Sequence, residues 1–181
     1  MQEGTFADKI TFVTMISIVS IDSIHDGKRM HASIVGSAFE CDMSLANALL
    51  NMYGKCGLLE EVFEILNNML QWDMITFINV LSACSHPKAL RMGKFIHGCI
   101  VDCDCKCDGI GIVNALMSMY YKCGCFHEVC KVFENALERD NVSWSILILA
   151  NVEYGYEEAA LCLFSEMHKT GLASDKVVLL T

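Results

Sequence analysis

Between residues 45 and 70 the apolar positions fall into two stripes of helical period. Leu45, Leu49, Met52 and Tyr53 stand at i, i+4, i+7 and i+8, one face of a helix. Gly57 follows as a stop, because glycine takes a left-handed cap without steric cost. Glu60 and Glu61 open a second helix at its positive end, and Phe63, Leu66, Met69 and Leu70 give that helix its own stripe. Tyr120, Gly124, Val129, Phe133 and Leu137 repeat the arrangement further along. A lone hairpin cannot bury two such stripes, whereas stacked hairpins can. The pattern therefore predicts an all-α fold, a right-handed α-solenoid of about five stacked helix-turn-helix repeats with a concave inner surface.

The repeat is explicit in the residues. Asn47-Ala-Leu-Leu-Asn-Met-Tyr-Gly-Lys-Cys-Gly57 recurs as Asn114-Ala-Leu-Met-Ser-Met-Tyr-Tyr-Lys-Cys-Gly124, with eight of eleven positions identical at an offset of 67. Gly27-Lys-Arg-Met-His-Ala-Ser-Ile-Val35 recurs as Gly93-Lys-Phe-Ile-His-Gly-Cys-Ile-Val101 at an offset of 66, and Ile10-Thr-Phe12 as Ile75-Thr-Phe77 at 65. Three anchors agree on a period near 66, which suits two unequal helix pairs per unit.

Composition narrows the class. With 54% hydrophobic and 19% charged residues the chain has the make-up of a folded protein, and its single proline favours helices over a turn-rich β fold. Eleven cysteines, an odd number scattered among aliphatics, read as reduced thiols in an intracellular compartment. The charge-free stretches 10–21, 74–85, 109–121 and 141–152 are each about a dozen residues, short of the ~20 needed to span a membrane. No targeting peptide is visible at the N-terminus. The net charge of −9 by itself points away from nucleic acid.

The repeat nevertheless resembles the pentatricopeptide repeat family, in the variety with alternating long and short motifs found in plant organelle RNA-binding proteins. The motif Asn-Ala-Leu-x-x-Met-Tyr-x-Lys-Cys-Gly occurs twice and Gly-Lys-x-x-His-x-x-Ile-Val twice; Val142-Ser-Trp144, Glu158-Ala-Ala-Leu-x-Leu-Phe164 and Gly171 follow in phase. The Trp, Leu-Gly, Tyr and Pro signature of the tetratricopeptide repeat is missing. On this resemblance, long repeats cover 9–42 and 74–109, short repeats 43–73 and 110–140, and a standard repeat 141–175. Residues 1–8 and 176–181 then read as the tail and the start of truncated repeats.

The resemblance implies single-stranded RNA as partner, read one base per repeat by two side chains. Those pairs are Asn47 with Asp73, Asn114 with Asp140, and Ser145 with Asp175. The family's code associates Asn with Asp with uracil and Ser with Asp with guanine, hence a pyrimidine-rich, uracil-preferring target ending in G. An alternative reading makes the same Asn and Asp residues helix caps. Val13 and Ile78 occupy the corresponding place in the long repeats and offer no hydrogen bond, so these repeats read as spacers. Lys55 and Lys122 stand where the family places a basic residue near phosphate, and a cation at a helix C-terminus is equally favoured by the helix dipole.

The function implied is that of a non-catalytic specificity factor in organellar RNA processing, such as cytidine editing, in a mitochondrion or chloroplast, with editing-complex proteins supplying catalysis in trans. No cofactor is implied. The His-x-Glu and Pro-Cys-x-x-Cys segments of an editing deaminase do not occur in the chain. Three departures favour the other reading, a degenerate or truncated helical scaffold for protein partners that binds no RNA. A short repeat runs directly into a long one at Asp73–Met74, Ser44 and Gly111 stand where a larger apolar residue packs beside the base, and the charge is acidic. Cys103-Asp-Cys-Lys-Cys107 could clasp a soft metal only if extended, and its alternate spacing lacks the Cys-x-x-Cys knuckle, so loop drift is the simpler reading. Cys56, Cys123, His31 and His97 recur in phase and read as packing residues.

Overall fold

The structure, a computed structural model, describes residues 9–37, 42–69, 72–102 and 109–171. Among the described residues there are ten α-helices and no strand, and in chain order the helices fall into five consecutive pairs. No helix of the described residues is long and apolar enough to cross a membrane. Two compact units divide the chain, Met1–Ala83 and Cys84–Thr181.

The first unit holds α1 (Lys9–Ser17), α2 (Ile24–Ile34), α3 (Met43–Lys55), α4 (Leu59–Asn68) and α5 (Met74–Ala83). Helix α3 is its centre, packed between α1 and α5 and backed by α4. The expected stripe of Leu45, Leu49, Met52 and Tyr53 is buried, as is Leu50. Gly57 takes φ +70° immediately after α3, and Gly124 φ +72° after the matching helix, so an L side chain would be strained at either turn.

The second unit holds α6 (Leu90–Asp102), α7 (Ile110–Lys122), α8 (Phe126–Asn135), α9 (Asn141–Glu153) and α10 (Glu157–Lys169). Here α7 packs on α8 and α9, and α9 on α10. Its core includes Leu116, Met117, Met119, Tyr120, Val129, Phe133 and Trp144.

The second stripes differ in part from expectation. Helix α4 turns Val62, Ile65 and Leu66 inward and leaves Phe63 41% exposed, because an inward face at Val62 and Leu66 places the next residue a hundred degrees away. Leu137 is 84% exposed, since α8 ends at Asn135 and the chain has left the helical register before reaching it. Leu70 lies outside the described residues.

The repeated Gly-Lys-x-x-His sequence has a physical account, given separately in each unit. In α2, Gly27 lies where a Cβ would come within 2.5 Å of Met52 Sδ, Lys28 reaches Glu61 at 2.6 Å, and His31 Nδ1 is 2.9 Å from the Tyr53 hydroxyl. In α6, a Cβ at Gly93 would come within 2.7 Å of Met119 Sδ, Lys94 reaches Glu128 at 3.1 Å, and His97 Nδ1 is 2.8 Å from the Tyr120 hydroxyl. The motif thus ties its own helix to the next two, with glycine admitting the methionine, lysine pairing with glutamate on a partly solvated face, and histidine binding the phenol.

Burial holds His31 below its ordinary value despite Glu64 and Glu61 nearby, and burial alone lowers His97. Both folded-state values therefore lie below the unfolded value near 6.5, so the unfolded chain takes up protons that the native histidines refuse. Their contribution to stability is complete above about pH 6.5 and is lost as the pH falls through the folded values. Denaturant midpoints should fall between pH 7.5 and 5.5, and a His31→Gln, His97→Gln variant should flatten that dependence. An identical slope in the variant would assign the pH response to other groups.

Candidate nucleic-acid interface

Each expected pair of readers that lies wholly within the described residues is brought together. Asn114 sits in the second turn of α7 and Asp140 just ahead of α9, with the Asn114 amide nitrogen 3.2 and 3.0 Å from the two carboxylate oxygens. Asn47, in the second turn of α3, directs its amide nitrogen to Asp73 at 3.5 Å. The third pair is half seen: Ser145 lies in α9, and Asp175 lies outside the described residues.

The aspartates are also helix caps. Asp140 accepts from the N–H groups of Val142 and Ser143, and Asp73 accepts from that of Thr76 at 2.7 Å. Burial by itself opposes ionisation of Asp73, but the Thr76 N–H and hydroxyl and the Asn47 amide outweigh it and hold the carboxyl below its usual value. The capping alternative fails for the asparagines, which lie inside α3 and α7 rather than at their starts. An asparagine buried in a helix interior has little local reason to be there. Asn47 is only 8% exposed.

Further residues complete the two sites, unnoticed in the sequence. Thr76, fully buried in α5, brings its hydroxyl within 2.9 Å of Asn47 Oδ1 and 2.8 Å of Asp73 Oδ1. Asn79 donates to the Asn47 backbone carbonyl at 3.3 Å. In the second unit Ser143 closes a capping box with Asp140. The Asp-x-x-Thr and Asp-x-x-Ser spacing signals such a cap. Asn114 Oδ1, Asn141 Oδ1 and Ser145 Oγ are buried with no hydrogen-bond partner among the described residues.

Lys55 and Lys122 are exposed in the last turns of α3 and α7. Glu153 ends α9 in the same way and accepts from the Tyr121 hydroxyl at 2.6 Å; burial first, and then this bond and the Glu153 charge, push that phenol up to about 12. Ser44 is exposed at the start of α3, and Gly111 provides no side chain at the start of α7. Val13 and Ile78 are partly buried. No cluster of three or more potential metal ligands occurs among the described residues, and Cys103–Cys107 lies outside them.

The PPR repeat pattern matches residues 44–74, 112–140 and 142–172, together half of the chain. The chain belongs to the pentatricopeptide repeat family. Among its PPR relatives, the Arabidopsis thaliana pentatricopeptide repeat-containing protein At3g03580 is 32% identical over 95% of this chain and 24% of its own length. Another from Arabidopsis thaliana, At4g19220, mitochondrial, is 28% identical over 91% of this chain and 21% of its own length. This PPR chain thus spans about a quarter of the length of these two relatives. The crystal structure of the PPR protein PPR10 from maize superposes with a TM-score of 0.79 at 19% identity, covering 94% of this chain and 25% of PPR10. PPR10 in complex with an 18-nt psaJ RNA element gives 0.83 at 20% identity, covering 97% and 26%. That likeness establishes the shared α-solenoid fold of helix-turn-helix repeats.

Proposed function

We propose that this PPR chain binds single-stranded RNA sequence-specifically and acts as a specificity factor without catalysing a reaction. The observation that carries the reading is the apposition of an amide and a carboxylate from the two ends of one short repeat, 3.0 Å apart at Asn114 and Asp140 and 3.5 Å at Asn47 and Asp73. An amide offers both a donor and an acceptor to a Watson–Crick edge, and the carboxylate fixes which way it faces. The structure of PPR10 with an 18-nt psaJ RNA element supports RNA as the class of partner. With repeats at 43–73, 74–109, 110–140 and 141–175 in the long and short alternation, the target reads as uracil, an unread base, uracil and guanine. Lys55 and Lys122 hold phosphate, and Ser145 with Asp175 reads the guanine. Organellar RNA processing such as cytidine editing, in a mitochondrion or chloroplast and with catalysis supplied in trans, is the setting. The mitochondrial name of one relative supports it.

Binding of the purified chain to short RNAs of this pattern, against scrambled controls at fixed salt, tests the proposal. The matched RNA should bind at least tenfold tighter, the scale of one or two lost base contacts at about 1–3 kcal/mol each. Asn47→Ser and Asn114→Ser should each move one position from uracil toward guanine. Equal, weak binding to all RNAs would instead favour a scaffold for protein partners, as the exposed Ser44 and the side-chain-free Gly111 beside the readers suggest.

A further inference from the structure

We infer that the two Asn–Asp pairs are unequal readers, and that Thr76 is the positioning residue that makes them so. Its hydroxyl engages the carbonyl of Asn47, whereas the carbonyl of Asn114 is left for a base. The inference rests on the RNA-reading function proposed above.

Thr76 stands three residues after Asp73, and Ser143 stands three residues after Asp140. The two hydroxyls point differently. Thr76 Oγ1 lies 2.9 Å from Asn47 Oδ1, and its one proton is shared between that oxygen and Asp73 Oδ1 at 2.8 Å. Both hydroxyls accept from the N–H of their aspartate, Thr76 at 3.4 Å and Ser143 at 2.9 Å, but Ser143 Oγ donates its proton to the Asp140 backbone carbonyl at 2.9 Å. Asn114 Oδ1 is left buried and unpartnered among the described residues, while its amide nitrogen is committed to both oxygens of Asp140.

A buried acceptor without a donor carries a desolvation penalty that a ligand N–H can recover. Uracil presents an N3–H, whereas cytosine presents a bare N3 lone pair at the same place. Opposite Asn114, exchanging uracil for cytosine removes the awaited donor and sets lone pair against lone pair. Opposite Asn47 the carbonyl already has the Thr76 hydroxyl, so less is gained from N3–H and less is lost with cytosine. Neither asparagine can adapt by turning over its amide, because that would place the oxygen against the paired carboxylate.

Single uracil-to-cytosine exchanges along the matched RNA, read as dissociation constants, test this. The nucleotide facing each pair is assigned as the one whose preference changes in Asn47→Ser or Asn114→Ser. The loss in affinity should be about tenfold opposite Asn114 and about threefold opposite Asn47, the range set by satisfying a buried acceptor. Thr76→Val keeps the shape and removes the hydroxyl, so it should raise the Asn47 penalty toward tenfold, while Thr76→Ser should keep it near threefold. Equal penalties in the wild-type chain overturn the inference without any variant, and so does a folded Thr76→Val protein with an unchanged ratio. RNA binding without uracil preference at either nucleotide overturns the base-reading function itself, and with it this inference.

Discussion

Replacing Trp144 with alanine should cost about 3–5 kcal/mol of unfolding free energy, the range for deleting a large buried aromatic side chain. Trp144 is 5% exposed in α9 and meets the Phe133 ring edge-to-face at 4.8 Å between centroids. On the same Phe133 ring sits the Arg139 guanidinium, 4.6 Å from the centroid, anchored by an N–H donated to the Phe133 carbonyl at 3.1 Å. One aromatic side chain therefore seats the end of α8, the linker and the first turn of α9. Phe77 holds the corresponding place in α5, where Trp72 approaches it edge-on at 5.7 Å. Trp144→Phe should accordingly keep most of the stability, within about 1.5 kcal/mol of the parent. Denaturant unfolding gives both values. A loss below about 1 kcal/mol for the alanine variant would show that this junction does not hold the fold.

The functional consequence follows from where Trp144 sits. Asp140 caps α9 and reaches across to Asn114 on α7, so the pair exists only while α9 is docked on α7. A Trp144→Ala protein that stays folded should lose discrimination at the nucleotide facing Asn114 before it loses it at the one facing Asn47, whose partners all lie in the other unit.

What could be read in the sequence was whatever repeats in phase with a period. The stripe of α3, the glycine stops and the recurring Gly-Lys-x-x-His segment are local or strictly periodic, and each has its place in the helices described. Phe63 and Leu137 match the period and yet lie exposed, because an apolar residue one position off the inward face, or two past a helix end, satisfies the same loose period. The Asn114–Asp140 approach joins residues 26 apart in the chain, and only the family resemblance pointed to it. Nor could composition tell the Thr76 hydroxyl from that of Ser143. Their protons go to different partners, Asn47 Oδ1 and Asp73 Oδ1 for Thr76 and the Asp140 backbone carbonyl for Ser143, which spacing does not encode.

Gly54→Tyr should be the most damaging exchange between the two near-identical segments, although it merely copies the residue found at position 121. A Cβ at Gly54 would come within 2.5 Å of Ala83 Cβ and 3.2 Å of Ala83 Cα, so α3 and α5 touch where only hydrogen fits. The obstacle includes backbone, which cannot swing aside as the Met52 thioether can beside Gly27. At the matching place in α7, Tyr121 lies half-buried and reaches Glu153 on α9. Forcing a phenol between α3 and α5 should cost about 3 kcal/mol even after the gain of up to ~1 kcal/mol for removing a helical glycine. In Gly54→Ala the propensity gain and the clash oppose each other, and Ala83→Gly relieves the Cβ clash at a propensity cost of its own, so the two changes combined isolate the clash. A cycle built from Gly54→Ala and Ala83→Gly should therefore show a favourable coupling of about 1 kcal/mol or more, read from denaturant midpoints. Simple additivity would mean that the helices part at no cost. Because Asn47 and Thr76 bond across this same α3–α5 contact, Gly54→Tyr should also abolish uracil preference opposite Asn47 while leaving that opposite Asn114 in place.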